Sequence, residues 1–193
     1  YKFYMMKDIT GISQEKILAM LTTLAKQLEN VDETDIVPER KRRGYEGVVI
    51  LPRDNRKGIT ILLYKGTNVK LGATKVLESF KYVYDEYLKE YCSFPKGQKN
   101  EPCKIIIVHP DNVNVIGMYN VLNQYNGTGN IRFQKKVISV PLDRDELAAL
   151  YIMSPSKDSS DESIMLTGDM EYYRQRFNEV KEKIKMLIQR ETT

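Results

Sequence analysis

The chain has 193 residues, with 30 Lys and Arg against 26 Asp and Glu, for a formal net charge of +4. That length fits one compact domain able to bury its own core, and 41% hydrophobic residues excludes an intrinsically disordered chain. Two cysteines, Cys92 and Cys103, cannot form the dense framework of a small secreted domain, and the longest apolar runs fall short of the ~18–20 residues of a membrane span. An intracellular protein without membrane contact is expected, and a +4 balance permits an anionic partner without requiring one.

From Ser13 to Leu28, the residues Ile17, Leu18, Leu21, Leu24, Ala25 and Leu28 recur at helical spacing, with Ser13 as N-cap. Asn30 to Arg43 is acidic and then basic around Pro38, which reads as an exposed connection. Gly47–Leu51 and Ile59–Tyr64 are strand-like runs on either side of the polar turn from Pro52 to Gly58, a hairpin signal. Ala73, Val76, Leu77, Phe80, Val83, Tyr84, Tyr87, Leu88 and Tyr91 predict a long helix.

Lys104 to Val108 is a continuous apolar run of the kind buried on both faces of a parallel sheet. A short helix over Asn114–Tyr125, a strand over Val137–Val140 and a helical turn from Asp143 to Leu147 follow. Residues 1–153 thus read as one α/β domain, with a mixed sheet containing a hairpin and alternating strand-helix units. Residues 154–166, rich in Ser and Asp, read as a linker, because the stretch from Ser154 to Ser163 has no apolar side chain to offset its ordering entropy.

Over 167–193, Met170, Tyr173, Phe177, Val180, Ile184 and Leu187 step by three and four on an otherwise charged helix. Packing on the chain's own domain and docking on another chain are both open to such a stripe. The narrowness of the stripe and the length of the linker favour docking, with Tyr173, Phe177, Val180, Ile184 and Leu187 as the contact residues.

Chemistry is sparse. The single histidine, His109, follows a buried-looking strand, and its plain reading is a strand-end residue bonded to its neighbours. Cys92, Cys103 and His109 lack the paired spacings of a zinc site, so neither metal nor cofactor is expected. Gly66 to Lys75 joins a strand to a helix with two glycines, but Ala73 stands where a phosphate-loop lysine belongs. A metal-dependent nuclease of the restriction-enzyme type needs an acid-x-Lys triplet on the second hairpin strand. Asp54 and Lys65 suggest one, yet Leu63 occupies the second acid's position, so no catalytic residue is assigned. The densest positive region is Arg40, Lys41, Arg42 and Arg43 with Arg53, Arg56 and Lys57, suited to a phosphate backbone and equally to an exposed loop or import patch.

Three segments resemble the N-terminal jaw domain of the fifth, shared subunit of eukaryotic and large-DNA-virus RNA polymerases. Ile61–Tyr64 leading into Val69 to Lys75 is similar to the family's strand and V-G-x-K-T-x-K helix start. Ile106 to Met118 is similar without gaps to its strand and N-N-I-T-P-S-A-M loop, with Asn114-Val115-Ile116 in place of Thr-Pro-Ser. Val137 to Leu147 parallels its L-V-N-I-T-x-H-E-L segment. The resemblance spans about residues 45–153 and implies a restriction-endonuclease-like fold without catalytic acids, placed where downstream DNA enters the polymerase. It implies a DNA-facing loop at Asp111, Asn112 and Asn114, the large polymerase subunits and double-stranded DNA as partners, and a nuclear location, or a cytoplasmic one in a virus. The family's C-terminal assembly domain has no counterpart after Ser154. A nuclease of the same fold, or an interaction module without nucleic acid, are the alternatives.

Overall fold

The structure, a computed structural model, describes residues 12–29, 37–39, 47–52, 59–66, 103–124, 135–155 and 170–192. In chain order these form α1 (Gln14–Glu29), β1 (Val37–Glu39), β2 (Gly47–Pro52), β3 (Ile59–Tyr64), β4 (Cys103–Pro110), α2 (Ile116–Gln124), β5 (Lys135–Leu142), α3 (Arg144–Ile152) and α4 (Met170–Thr192). The five strands make one mixed sheet in the order β1-β2-β3-β4-β5. The hairpin β2–β3 pairs Gly47 with Tyr64 and Pro52 with Ile59, while β3, β4 and β5 run parallel. β2 alone runs against the other four strands. The fold is therefore of the mixed α/β class.

Strand alternation divides the core between the two faces of the sheet. Leu62, Tyr64, Ile106, Val108, Ile138, Val140 and Leu142 form one cluster with α1, α3 and α4. Ile61, Leu63, Ile105, Ile107 and Val137 are buried outside that cluster, on the face where α2 packs with Met118 and Leu122. Burial on both sides explains why β3 and β4 read as unbroken apolar runs rather than alternating ones.

Local signals set the helix starts. Lys16 N donates to Ser13 Oγ at 3.2 Å, and Ile17 N to the Ser13 carbonyl at 3.0 Å, so Ser13 caps α1. A reciprocal capping box opens α3, with Glu146 N on Asp143 Oδ1 at 2.8 Å and Asp143 N on Glu146 Oε1 at 3.0 Å. Helix α2 begins at Ile116, two residues later than expected, because Asn114 Oδ1 accepts from Ile116 N at 3.0 Å and holds the preceding residues in an Asx turn.

Three expectations need correction. The connection over Asn30–Arg43 contains strand β1, which the polar composition and Pro38 concealed; proline is tolerated there because β1 lies at the sheet margin. Ser154 does not start a solvated linker: it is fully buried, with Oγ donating to the Leu150 carbonyl at 2.6 Å and its own carbonyl accepting from Lys16 Nζ. That lysine lies 4.2 Å over the Tyr151 ring and ties α1 to the end of α3. Finally, Tyr173, Phe177, Val180 and Ile184 do not face a partner. All four are buried in the chain's own core against α1, α3 and β5, with Leu187 partly buried beside them.

The long helix expected over Ala73–Tyr91 and most of the expected linker lie outside the described residues. Among the described residues, no helix is long and apolar enough to cross a membrane.

Candidate functional site

Parallel strands of an α/β sheet release their chains at one edge, and the loops there are free to carry function while the strands fix their position. Here that edge carries Lys65 after β3, the turn from Asp111 to Val115 after β4, and Asp143 after β5. The β4 turn is anchored at several points. Asp111 N donates to the Leu142 carbonyl at 2.9 Å, which ties the turn to β5, and Val113 N donates to the Pro110 carbonyl at 3.1 Å. Val113 and Val115 are buried, while Asp111, Asn112 and Asn114 are exposed. Of the expected nucleic-acid residues, the structure brings these three together on one rigid turn. Arg40, Lys41, Arg42, Arg43, Arg53, Arg56 and Lys57 lie outside the described residues.

Beneath the turn sits His109, only 5% exposed. Its Nδ1 lies 2.7 Å from the Pro110 carbonyl and its Nε2 lies 2.7 Å from Ser139 Oγ on β5. A carbonyl only accepts, so these partners assign the ring proton to Nδ1 and leave Nε2 to accept from the serine hydroxyl. Burial pushes the pKa of the imidazole below its ordinary value. The Pro110 carbonyl and Asp111 pull it upward, and Lys183 downward.

Ser139 interrupts the apolar run Val137–Val140, and that interruption was the sequence signal for the pair. Its partner lies thirty positions earlier in the chain, and only the β4–β5 register brings the two together.

The pair has a measurable consequence. An unfolded chain takes up a proton near pH 6.5 that the folded chain resists, so His109 supports stability above that pH and the support is lost as pH falls below it. Because the chain has a single histidine, its ring resonances titrate alone. An NMR midpoint below 6.5 is expected, together with a flatter fall in urea midpoint between pH 7 and pH 5 in His109→Gln. A midpoint at or above 6.5 contradicts the assignment.

The side chains of a metal-dependent nuclease site do not come together among the described residues. Among the described residues, no three His, Cys, Asp or Glu side chains come together to hold a metal ion. Leu63, at the position of a nuclease's second carboxylate, is fully buried, and Lys65 is itself buried at the strand end. Asp54 lies outside the described residues. A further groove runs along α4 beside Pro141, lined by Glu179, Glu182, Lys183 and Arg190, so it presents both signs of charge.

The exposed residue that sequence reasoning missed is Ile116, an isoleucine 67% exposed at the first position of α2. Comparison with protein-family models, curated proteins and solved structures finds no match for the chain.

Proposed function

We propose that the chain is a non-catalytic subunit of a multisubunit DNA-dependent RNA polymerase, a jaw-like domain that contacts the backbone of downstream duplex DNA and neighbouring subunits. The observation that carries this reading is the exposed, multiply anchored turn Asp111–Asn114 at the carboxyl end of β4. It lies in the gap-free segment Ile106–Met118 that resembles the family's DNA-facing loop. The hairpin feeding a parallel strand-helix-strand unit supports the same reading, since the resemblance implies those elements in that order.

In this reading the sheet is a rigid mount and recognition is independent of base sequence, because phosphate contacts position a protein without reading bases. Most of the binding strength would come from Arg40, Lys41, Arg42, Arg43, Arg53, Arg56 and Lys57. The turn would add neutral donors: Asn114 Oδ1 is committed to Ile116 N, which leaves its amide NH₂ to donate outward beside Asn112.

The test is purification of the tagged chain from its own cells at moderate salt, where the large polymerase subunits are expected in near-stoichiometric amount. Affinity for a duplex is expected to fall steeply with salt, and Arg42→Ala to flatten the log–log slope by about 0.9 if Arg42 meets one phosphate. Recovery of the chain alone overturns the subunit reading. A salt-independent affinity overturns the backbone contact, and Mg²⁺-dependent cleavage lost in Asp54→Ala would replace the non-catalytic reading with a nuclease.

A further inference from the structure

Ser139 and His109 stand on adjacent parallel strands, on the sheet face that α2 covers. The register opposes Ser139 to Ile107 and His109 to Pro141, so the two side chains are diagonal neighbours at the carboxyl end of the sheet. Their surroundings are apolar: Ile107 and Val137 on the strands, Met118 and Leu122 on α2, and no charged residue anywhere on that helix. Packing alone is served by an aliphatic side chain at position 139, as it is at 137, so the hydroxyl calls for another account.

The hydrogen bonds run in one direction. Ser139 Oγ donates to Nε2 at 2.7 Å, and Nδ1 donates to the Pro110 carbonyl at 2.7 Å. A serine hydroxyl on the accepting nitrogen of an imidazole, with an acceptor holding the proton on the other nitrogen, is the arrangement that activates serine as a nucleophile. Here a backbone carbonyl takes the orienting place of a carboxylate. The charged groups acting on the ring are Asp111, which favours the imidazolium, and Lys183, which opposes it. Lys65, buried at the end of β3, follows the Tyr64–Val108 pair and so lies beside His109 in the register. The ring is only 5% exposed while Ser139 is partly exposed, so the hydroxyl is the member of the pair that a reactant meets first.

We propose that Ser139 is a nucleophile activated by His109, and that it takes the acyl group of a short-chain, activated carboxylic ester. Oγ forms a bond to the ester carbonyl carbon and the bond from that carbon to the leaving oxygen breaks. The Oγ proton passes to Nε2 and from there to the leaving oxygen, which returns the neutral ring with Nδ1 still on the Pro110 carbonyl. Nothing is oxidised or reduced. The apolar surroundings and the depth of His109 select a small, uncharged acyl group. This reactivity is separate from the subunit reading and does not rest on it.

The test is incubation of the full chain with p-nitrophenyl acetate, with mass spectrometry to locate the acetyl groups. Acetylation of Ser139 in the unaltered chain is expected, with p-nitrophenolate release at least about tenfold slower in Ser139→Ala and in His109→Gln, each checked for folding by its urea midpoint. Only the neutral imidazole accepts a proton, so the Ser139-dependent rate is expected to rise with pH along the same midpoint as the His109 ring resonances. Acetyl groups on lysines and the α-amine with none on Ser139, in the unaltered chain, overturn the proposal. Acetylation of Ser139 at an equal rate in His109→Gln, or a rate whose pH profile ignores the His109 midpoint, overturns the role of His109 as the base.

Discussion

Ile184→Asp is expected to leave the chain unfolded or nearly so at 37 °C, and Phe177→Ala to lower the unfolding free energy by about 3–5 kcal/mol. Both side chains lie in the main core, Phe177 at 5% exposure and Ile184 at 0%. A domain of this size carries about 5–15 kcal/mol of net stability, so a carboxylate buried among Leu, Ile and Val with no partner removes a large share of it. Polar ties across the α3–α4 seam act in the same direction. Tyr172 Oη donates to Asp145 Oδ2 at 2.6 Å, and Arg176 Nε donates to Tyr172 Oη at 3.2 Å while its guanidinium lies 5.4 Å from that ring. Urea unfolding followed by far-UV circular dichroism reads the loss directly. If Phe177→Ala shifts the midpoint no more than an exposed substitution such as Gln175→Ala, α4 is detached in solution and docking of its stripe on another chain becomes the better account.

The packing of α4 on its own domain bears on which of its faces remains open to a partner. With its apolar stripe spent on the domain, α4 offers a partner only an outward face of Glu, Lys, Arg, Gln and Asn, with Met186 as its one strongly exposed apolar residue among those described.

Elements whose burial is decided locally were legible in the sequence. The apolar spacing of α1, the runs of β3 and β4 and the Asp143/Glu146 box of α3 each state their structure within a dozen residues. What escaped depends on contacts between distant positions. A stripe on α4 says that one face is apolar and not which surface covers it, and that surface comes from residues 17 to 25 and 138 to 152. Ser154 reads as linker because its neighbours are polar, yet Lys16, 138 positions earlier, reaches its carbonyl. Strand β1 is three residues long and contains proline, too short for any periodicity to register. At the candidate site, the spacing placed Asn114 at the start of a helix and only the family resemblance put it in a loop, whereas the outward placement of Ile116 goes with the inward placement of Val113 and Val115.

Glu146 and Lys183 provide the second large effect. The Glu146 side chain is 10% exposed and accepts from two directions: Asp143 N in the capping box, and Lys183 Nζ at 3.0 Å on Oε1 and 3.3 Å on Oε2. Lys183 Nζ also donates to the Pro141 carbonyl. That carbonyl points away from β4, since the next residue, Leu142, turns its own carbonyl toward the β4 turn. Proline has no N–H to offer at the same point, so one lysine and one proline close the end of β5 to further strand pairing.

Glu146→Ala removes a helix cap and strands the lysine together, for an expected loss of about 2–4 kcal/mol. Lys183→Met keeps the apolar stem against α3 and is expected to cost about 1 kcal/mol, because Glu146 retains Asp143 N and the freed carbonyl is accessible to water. Combined, Glu146→Gln and Lys183→Met should show a coupling of about 1–2 kcal/mol in a double-mutant cycle. A coupling near zero would assign the pair to the weak surface class and leave the α3–α4 seam to its apolar contacts. Lys183→Met should in addition make the folded chain more prone to concentration-dependent association, since an edge carbonyl loses the cation that occupied it. Sedimentation that finds more dimer in Lys183→Met than in another variant destabilised by about 1 kcal/mol elsewhere would separate the edge-blocking role of Lys183 from its role in holding α4.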